Sequence, residues 1–239
     1  MATDQVRGAP LGEVLPGNSQ ISLPRICCAF VRTDANAIFL AAYNRNATVE
    51  HCEFQWLGMS AIATFGFAAF EDGTAGTQPW GTVIAHNHAH ELGLYELQSS
   101  FLFSSKAALT RVESNILYNE GRALINWNDG FGGGNNITQN LIFNSCRQSG
   151  DHGPINSWDR LSFKTLIPTG GASPTYELLH SAVTRNYLNA NYGGSQGFDN
   201  DDGSSFWDHY ENFIRGSGFK MEWVGATRPT SARRSRLPP

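Results

Sequence analysis

The stretch Ile137–Ile142, ITQNLI, has an apolar residue, two spacers, an asparagine, one spacer and a second apolar residue. The same pattern recurs as VEHCEF (Val49–Phe54, with Cys52 in the polar position), IAHNHA (Ile84–Ala89), VESNIL (Val112–Leu117), VTRNYL (Val183–Leu188) and, more loosely, HYENFI (His209–Ile214). The asparagines are Asn87, Asn115, Asn140, Asn186 and Asn212, at gaps of 28, 25, 46 and 26 residues. Three of these gaps fit one coil of a solenoid. The gap of 46 fits two short coils, or one coil with an insertion near Leu161–Tyr176, where Pro168, Gly170, Gly171 and Pro174 cluster.

The apolar runs, such as Ile142-Phe143 and Ala182-Val183, are short and bounded by Gly and Asn, so they read as strands and not amphipathic helices. One such repeat cannot bury its apolar face alone. Stacking repeats about 4.8 Å apart in parallel register does. An Asn at the same corner of successive coils can then bond to the Asn above and below. The pattern predicts an all-β chain folded as a right-handed parallel β-helix. A β-sandwich, the rival, has no reason for a fixed Asn corner.

Composition agrees. The chain has 239 residues, 41% hydrophobic and 16% charged, against about 25% charged in an ordinary domain. That excludes a disordered polyelectrolyte or a long coiled coil. A net charge of −4 and a pI of 5.9 give no electrostatic footprint for nucleic acid. The 25 Gly, 19 Asn and 12% aromatic residues are those of turns and strands. No apolar run approaches the roughly 18 residues of a transmembrane helix. Residues 1–20 show no apolar signal-peptide region. Cys27, Cys28, Cys52 and Cys146 have neither disulfide-scaffold nor zinc spacing and read as free thiols.

The expected organisation is an irregular segment or partial cap over 1–36, the β-helix over 37–225, and a basic, disordered tail over 226–239 (ATRPTSARRSRLPP). Neither end reads as a built cap, as in a fragment of a longer protein or an imperfect gene model.

The stretch INWNDGFGGGNNITQNLIFNSCRQSGDHGPINSWDR (Ile125–Arg160) and the segment GGSQGFDNDDGSSFWD (Gly193–Asp208) resemble the right-handed β-helix proteins of the pectate-lyase-like superfamily. The resemblance spans about Ala47–Met221. It implies secretion and an action on polysaccharide, in a superfamily of lyases, glycoside hydrolases, epimerases and non-catalytic proteins. Its polygalacturonase-like hydrolases carry an Asp-Asp pair, a Gly-His-Gly and a late basic residue. Asp201-Asp202, Asp151-His152-Gly153 and Lys220 match in kind, but the His motif precedes the Asp pair, the reverse of the family order.

Aligning the turns after the Asn strands places Asn126, Asn156 and Asp199 in one column and Asp129, Asp159 and Asp202 in another, with Trp127 and Trp158 beside them. Stacked acids repel, which raises a carboxyl pKa or recruits a cation. The indoles and amides read as a sugar-binding face. Asp159 and Asp202 are the expected hydrolytic pair, with Asp201 as alternate, because glycoside hydrolysis needs two carboxyls about 5 to 9.5 Å apart. His152 beside Asp151 reads as an acid/base, and Arg160, Arg147 and Lys220 as cations toward substrate. The hydrolase reading needs no cofactor. A lyase would add Ca²⁺ on Asp199, Asp201 and Asp202, with Arg160 or Lys220 as base. A non-catalytic carbohydrate-binding or structural β-helix is the alternative, and the expected partner is a poly- or oligosaccharide bound by a monomer. His86, His88 and His90 would share a face on a strand, but the alignment sets them at a corner, so no metal role is expected there.

Overall fold

A computed structural model describes residues 25–69, 73, 76–128, 132–158, 167–168, 174–175, 180–192 and 195–221. Among these, strands are the only regular elements, and they build a right-handed parallel β-helix of three seven-stranded parallel sheets. The first sheet stacks Arg25–Ile26, Thr48–Glu50, Val83–Ala85, Arg111–Glu113, Asn136–Thr138, Ser181–Thr184 and Trp207–Tyr210. The second stacks Ala29–Val31, Glu53–Gln55, His88–His90, Ile116–Tyr118, Leu141–Ser145, Tyr187–Asn191 and Phe213–Arg215. The third stacks Ile38–Ala41, Ile62–Phe65, Leu102–Ser105, Ile125–Asn128, Ile155–Trp158, Phe198–Asn200 and Phe219–Met221. Each coil therefore supplies one strand to each sheet.

The first described strand, Arg25–Ile26, lies inside the segment read from sequence as an irregular cap, whose residues 1–24 are outside the described residues. The 46-residue gap is one coil with an insertion, since Asn140 bonds directly to Asn186. Within the insertion Ile167–Pro168 pairs antiparallel with Pro174–Thr175. The terminal tail lies outside the described residues.

Parallel register puts like residues on like. Val49, Ile84, Val112, Ile137 and Val183 stack inward in the first sheet, each fully buried. Phe54, Ala89, Leu117, Ile142 and Leu188 do so in the second. Burying each large apolar side chain contributes about 1.5 to 3 kcal/mol. The chain bends between these two sheets at one residue with positive φ: His51, His86, Ser114, Gln139, Arg185 and Glu211, all between 53° and 57°. That left-handed conformation is strained for a residue with a Cβ.

The next residue offsets the strain. Asn87 Nδ2 donates to Asn115 Oδ1, Asn115 to Asn140, Asn140 to Asn186 and Asn186 to Asn212, at 2.9–3.0 Å. Each of these Oδ1 atoms also accepts the backbone N–H of the preceding Asn at 2.9–3.0 Å. Each Nδ2 additionally reaches a carbonyl of the preceding coil, as from Asn140 to Val112 at 2.9 Å. Asn87 caps the ladder by accepting from Cys52 N, and Cys28 N in turn donates to Cys52 Sγ.

Asn140→Ala deletes a buried acceptor that serves two donors and leaves the Asn115 N–H unpaired. It costs about 3 kcal/mol. Urea denaturation reads this as a lowered midpoint, and a loss under about 1 kcal/mol would show that the ladder does not hold the corners.

Candidate functional site

Register decides which polar residues meet. Asn126, Asn156, Asp199 and Lys220 are successive Cα partners across the third sheet, so the column expected from sequence exists and ends in a lysine. These positions lie on strands, not in turns. Phe198 and Asn200 face inward, Phe198 in the core and Asn200 toward His209, so Asp199 faces outward by the two-residue period. Asp201 continues the ladder, its N–H donating to Ser157 O at 2.8 Å, and faces the same way. Both carboxylates meet one ammonium: Lys220 Nζ lies 3.3 Å from Asp199 Oδ1 and 3.0 Å from Asp201 Oδ1. Asp199 is fully buried, while the side chains of Lys220 and Asp201 are each 18% exposed. Trp158, next along from Ser157, is half-buried at the rim of the same face.

The Asp151-His152-Gly153 segment docks onto this column. Gly153 N donates to Asp199 Oδ2 at 3.2 Å. A Cβ at Gly153 would stand 2.0 Å from Gln196 O and 3.0 Å from Asp199 Cβ, so only glycine permits the approach. His152 follows into the cluster. Its Nε2 lies 2.7 Å from Arg122 Nη2, and its Nδ1 lies 2.8 Å from Ser149 Oγ. A guanidinium only donates, so Nε2 accepts and Nδ1 carries the proton toward Ser149. Burial, and then the Arg122 charge, push the His152 pKa down. The imidazole expected as an acid/base is a neutral, doubly bonded ring. Asp151 is exposed beside it.

Burial raises the Asp199 carboxyl to about 6, against the pull of Lys220 in the other direction. On the inner side, Asn200 Nδ2 donates to His209 Nε2 at 2.9 Å, and burial pushes His209 down to about 4. Asp202 sits in the following turn, closed by Ser204 N donating to Asp201 O, with Gly203 taking the positive φ of 75°.

Several expected binders are elsewhere. Trp127 is fully buried in the core, edge-on to Trp207 at 5.5 Å, because its position in the register points inward. It is no sugar platform. Asn126 and Asn156 face outward but are buried, and Asn156 Nδ2 donates to Asn126 Oδ1 at 2.8 Å. Asp129, Asp159 and Arg160 lie outside the described residues. The Lys220 ammonium stands between Asp199 and Asp201, where a cation held by both would sit. Arg147 pairs with Glu91 at 3.3 Å, away from this face.

Two groups were not legible in the sequence. Arg122 is 5% exposed, and its Nε and Nη1 have no hydrogen-bond partner among the described residues. Glu120 is 1% exposed, and burial pushes its carboxyl pKa well up. It lies beneath Gly93, whose added Cβ would stand 3.0 Å from Glu120 Oε1. Nothing in the run Asn119–Arg122 marks these charges as inward. The one available hint is their place next to a corner, with Asn119 at a φ of 58°.

Fold and site together define a parallel β-helix with a carboxylate–lysine cluster on the outer face of its third sheet. No family model, curated protein or solved structure matches the chain.

Asp199 is an acid with a raised pKa in the folded state. Its contribution to stability is present below the usual carboxyl range and lost as pH rises through about 6. Asp199→Asn removes that loss. Its stability relative to the parent improves by about 2 kcal/mol from about pH 4 to about pH 7, read from urea midpoints at both pH values. His209 works in the opposite sense: its contribution is present above the ordinary histidine range and lost as pH falls toward about 4.

Proposed function

We propose that this chain is a carbohydrate-active protein of the pectate-lyase-like kind, which cleaves a polysaccharide at the outer face of its third sheet. The observation that carries the reading is the carboxyl pair at Lys220. One member, Asp199, is buried and raised to about 6, and the other, Asp201, reaches solvent. Two carboxyls in unlike environments are the chemical requirement for acid/base hydrolysis of a glycoside. Because both contact one ammonium at 3.3 and 3.0 Å, their contacting oxygens stand no more than about 6.3 Å apart, at or below the short end of the glycosidase range. Trp158 at the rim supplies an indole for a sugar ring. In this reading Asp201 touches substrate, with Asp202 beside it, and Asp199 holds Lys220 in place from below and stores a proton.

Charge balance favours hydrolase over lyase. A lyase acting on uronates must neutralise the substrate carboxylate. The Lys220 charge is already shared by two acids, so it has little left for a third. A Ca²⁺-dependent lyase would have to displace that ammonium first.

Full burial of Asp199, Asn126 and Asn156 favours a second reading, in which the cluster closes the fold and the protein binds carbohydrate without cleaving it.

A polysaccharide panel separates these. Reducing ends and unsaturated-uronate absorbance are read together, with Ca²⁺ and with EDTA. Hydrolysis yields reducing ends without new absorbance, and EDTA does not abolish it. Asp201→Asn and Lys220→Met each lower turnover about 100-fold or more, and Asp159→Asn tests the pairing expected from sequence. Where Asp199 is the proton store, turnover falls as pH rises through about 6. Binding without turnover on every substrate would establish the second reading.

A further inference from the structure

We propose that Glu53, His88 and His90 form a binding site for a zinc-class divalent cation on the outer face of the second sheet, remote from the Asp199 cluster. The three lie on neighbouring strands, with Glu53 the register partner of His88 and Gln55 that of His90. His88 and His90 flank the fully buried Ala89, so both rings project outward from one strand. This corrects the expectation from sequence. Only His86 is at the corner, with a φ of 55°.

The donor atoms converge. One ligand atom from each residue lies within 4.8 Å of the other two, and Glu53 Oε1 is 3.9 Å from His88 Nδ1. Ligands about 2.0 to 2.1 Å from a tetrahedral Zn²⁺ stand about 3.3 Å apart. The remaining gap is a small adjustment for Glu53 and His88, whose side chains are 48% and 41% exposed.

The rings are already held. Tyr118 stacks on His90 at 4.9 Å and 10°, and Phe143 stacks on Tyr118 at 4.8 Å and 4°. Trp56 meets the other side of the site edge-on to His90 at 6.2 Å. Along the His88 column the later coils carry Ile116, Leu141, Tyr187 and Phe213, while the His90 column runs from Gln55 through Tyr118 and Phe143 to Asn189 and Arg215, so among these coils the imidazole pair stands on one strand, beside the Glu53 carboxylate of the next.

Two imidazoles and one carboxylate suit Zn²⁺, Co²⁺, Ni²⁺ or Fe²⁺. They do not suit Ca²⁺ or Mg²⁺, which take oxygen sets. All three ligands approach from the sheet side, which leaves the outward positions to water, as in a zinc site that binds a further ligand.

The test is titration of the full, tag-free chain with Co²⁺, read by its visible absorption, followed by displacement with Zn²⁺. We expect one Co²⁺ per chain, displaced by Zn²⁺ and indifferent to excess Ca²⁺. His88→Ala and His90→Ala each weaken binding by more than about 100-fold, beyond what loss of an outer-shell partner costs. His51→Ala/His86→Ala, which removes the exposed stacked pair nearby, keeps the site. Far-UV circular dichroism checks that each variant is folded, and His88→Gln replaces any that is not. Failure of the parent to bind Co²⁺ with one-to-one saturation overturns the proposal. So does full affinity in both single-histidine variants, or loss of binding in the His51/His86 control. None of these outcomes bears on polysaccharide turnover, which is read at another sheet.

Discussion

The buried asparagine ladder is the constraint on which the rest depends. A coil of this solenoid has to turn between its first and second sheets without a glycine, at residues such as Gln139 and Arg185 held at positive φ. Each strained corner is followed by an amide that satisfies two donors of the coil before it and reaches back to a carbonyl there. The ladder fixes axial register as well as local conformation. A slip of one residue would place Asn140 in the core and turn Ile137 and Ile142 to solvent. Once that corner is locked, the third sheet inherits its register, and so does every polar residue carried on it.

That inheritance explains the candidate site. Coils of different length still deliver Asn126, Asn156, Asp199 and Lys220 to one column, since Asn156 pairs directly with Asp199 across the longest coil. The polar column grows in charge along the axis, from two amides to an acid to a base. Burial of Asp199 is costly alone and tolerable only with Lys220 and the Gly153 N–H against it. The second sheet shows the contrasting solution. Its outer rings stack on one another, so their faces are occupied and they offer edges to solvent.

Much of this was legible in the sequence, and the limits are physical. Spacing revealed the ladder, because one Asn per coil is a periodic signal of stacked coils. It also revealed the Asn126–Asn156–Asp199 column, since equal spacers on both sides carry register across. It did not reveal that Trp127 points inward, because inward and outward alternate every residue and an indole suits either side. It misplaced His88 and His90 by a single corner residue for the same reason. Arg122 and Glu120 were invisible because burial of a charge depends on which loops close over it, as Gly93 does over Glu120. Local composition does not encode that.

The axial order of polar groups also bears on function. A stacked column of like acids would repel along its length, and the sequence alone suggested such a column. Asp129 and Asp159 of that column lie outside the described residues, which show Asp199 and Asp201 tied by one lysine, with Arg122 behind His152 as a second buried cation. The cluster is close to charge-neutral and confined to the last coils. Such a cluster has weak attraction for a polyanion at a distance, so steering of a uronate chain by long-range field is not what this face is built for. It has a carboxyl of raised proton affinity and a partly buried carboxylate tied to it through Lys220. In the proposed reading these properties serve proton handling at a neutral sugar linkage, and drawing Lys220 away to hold substrate would remove them.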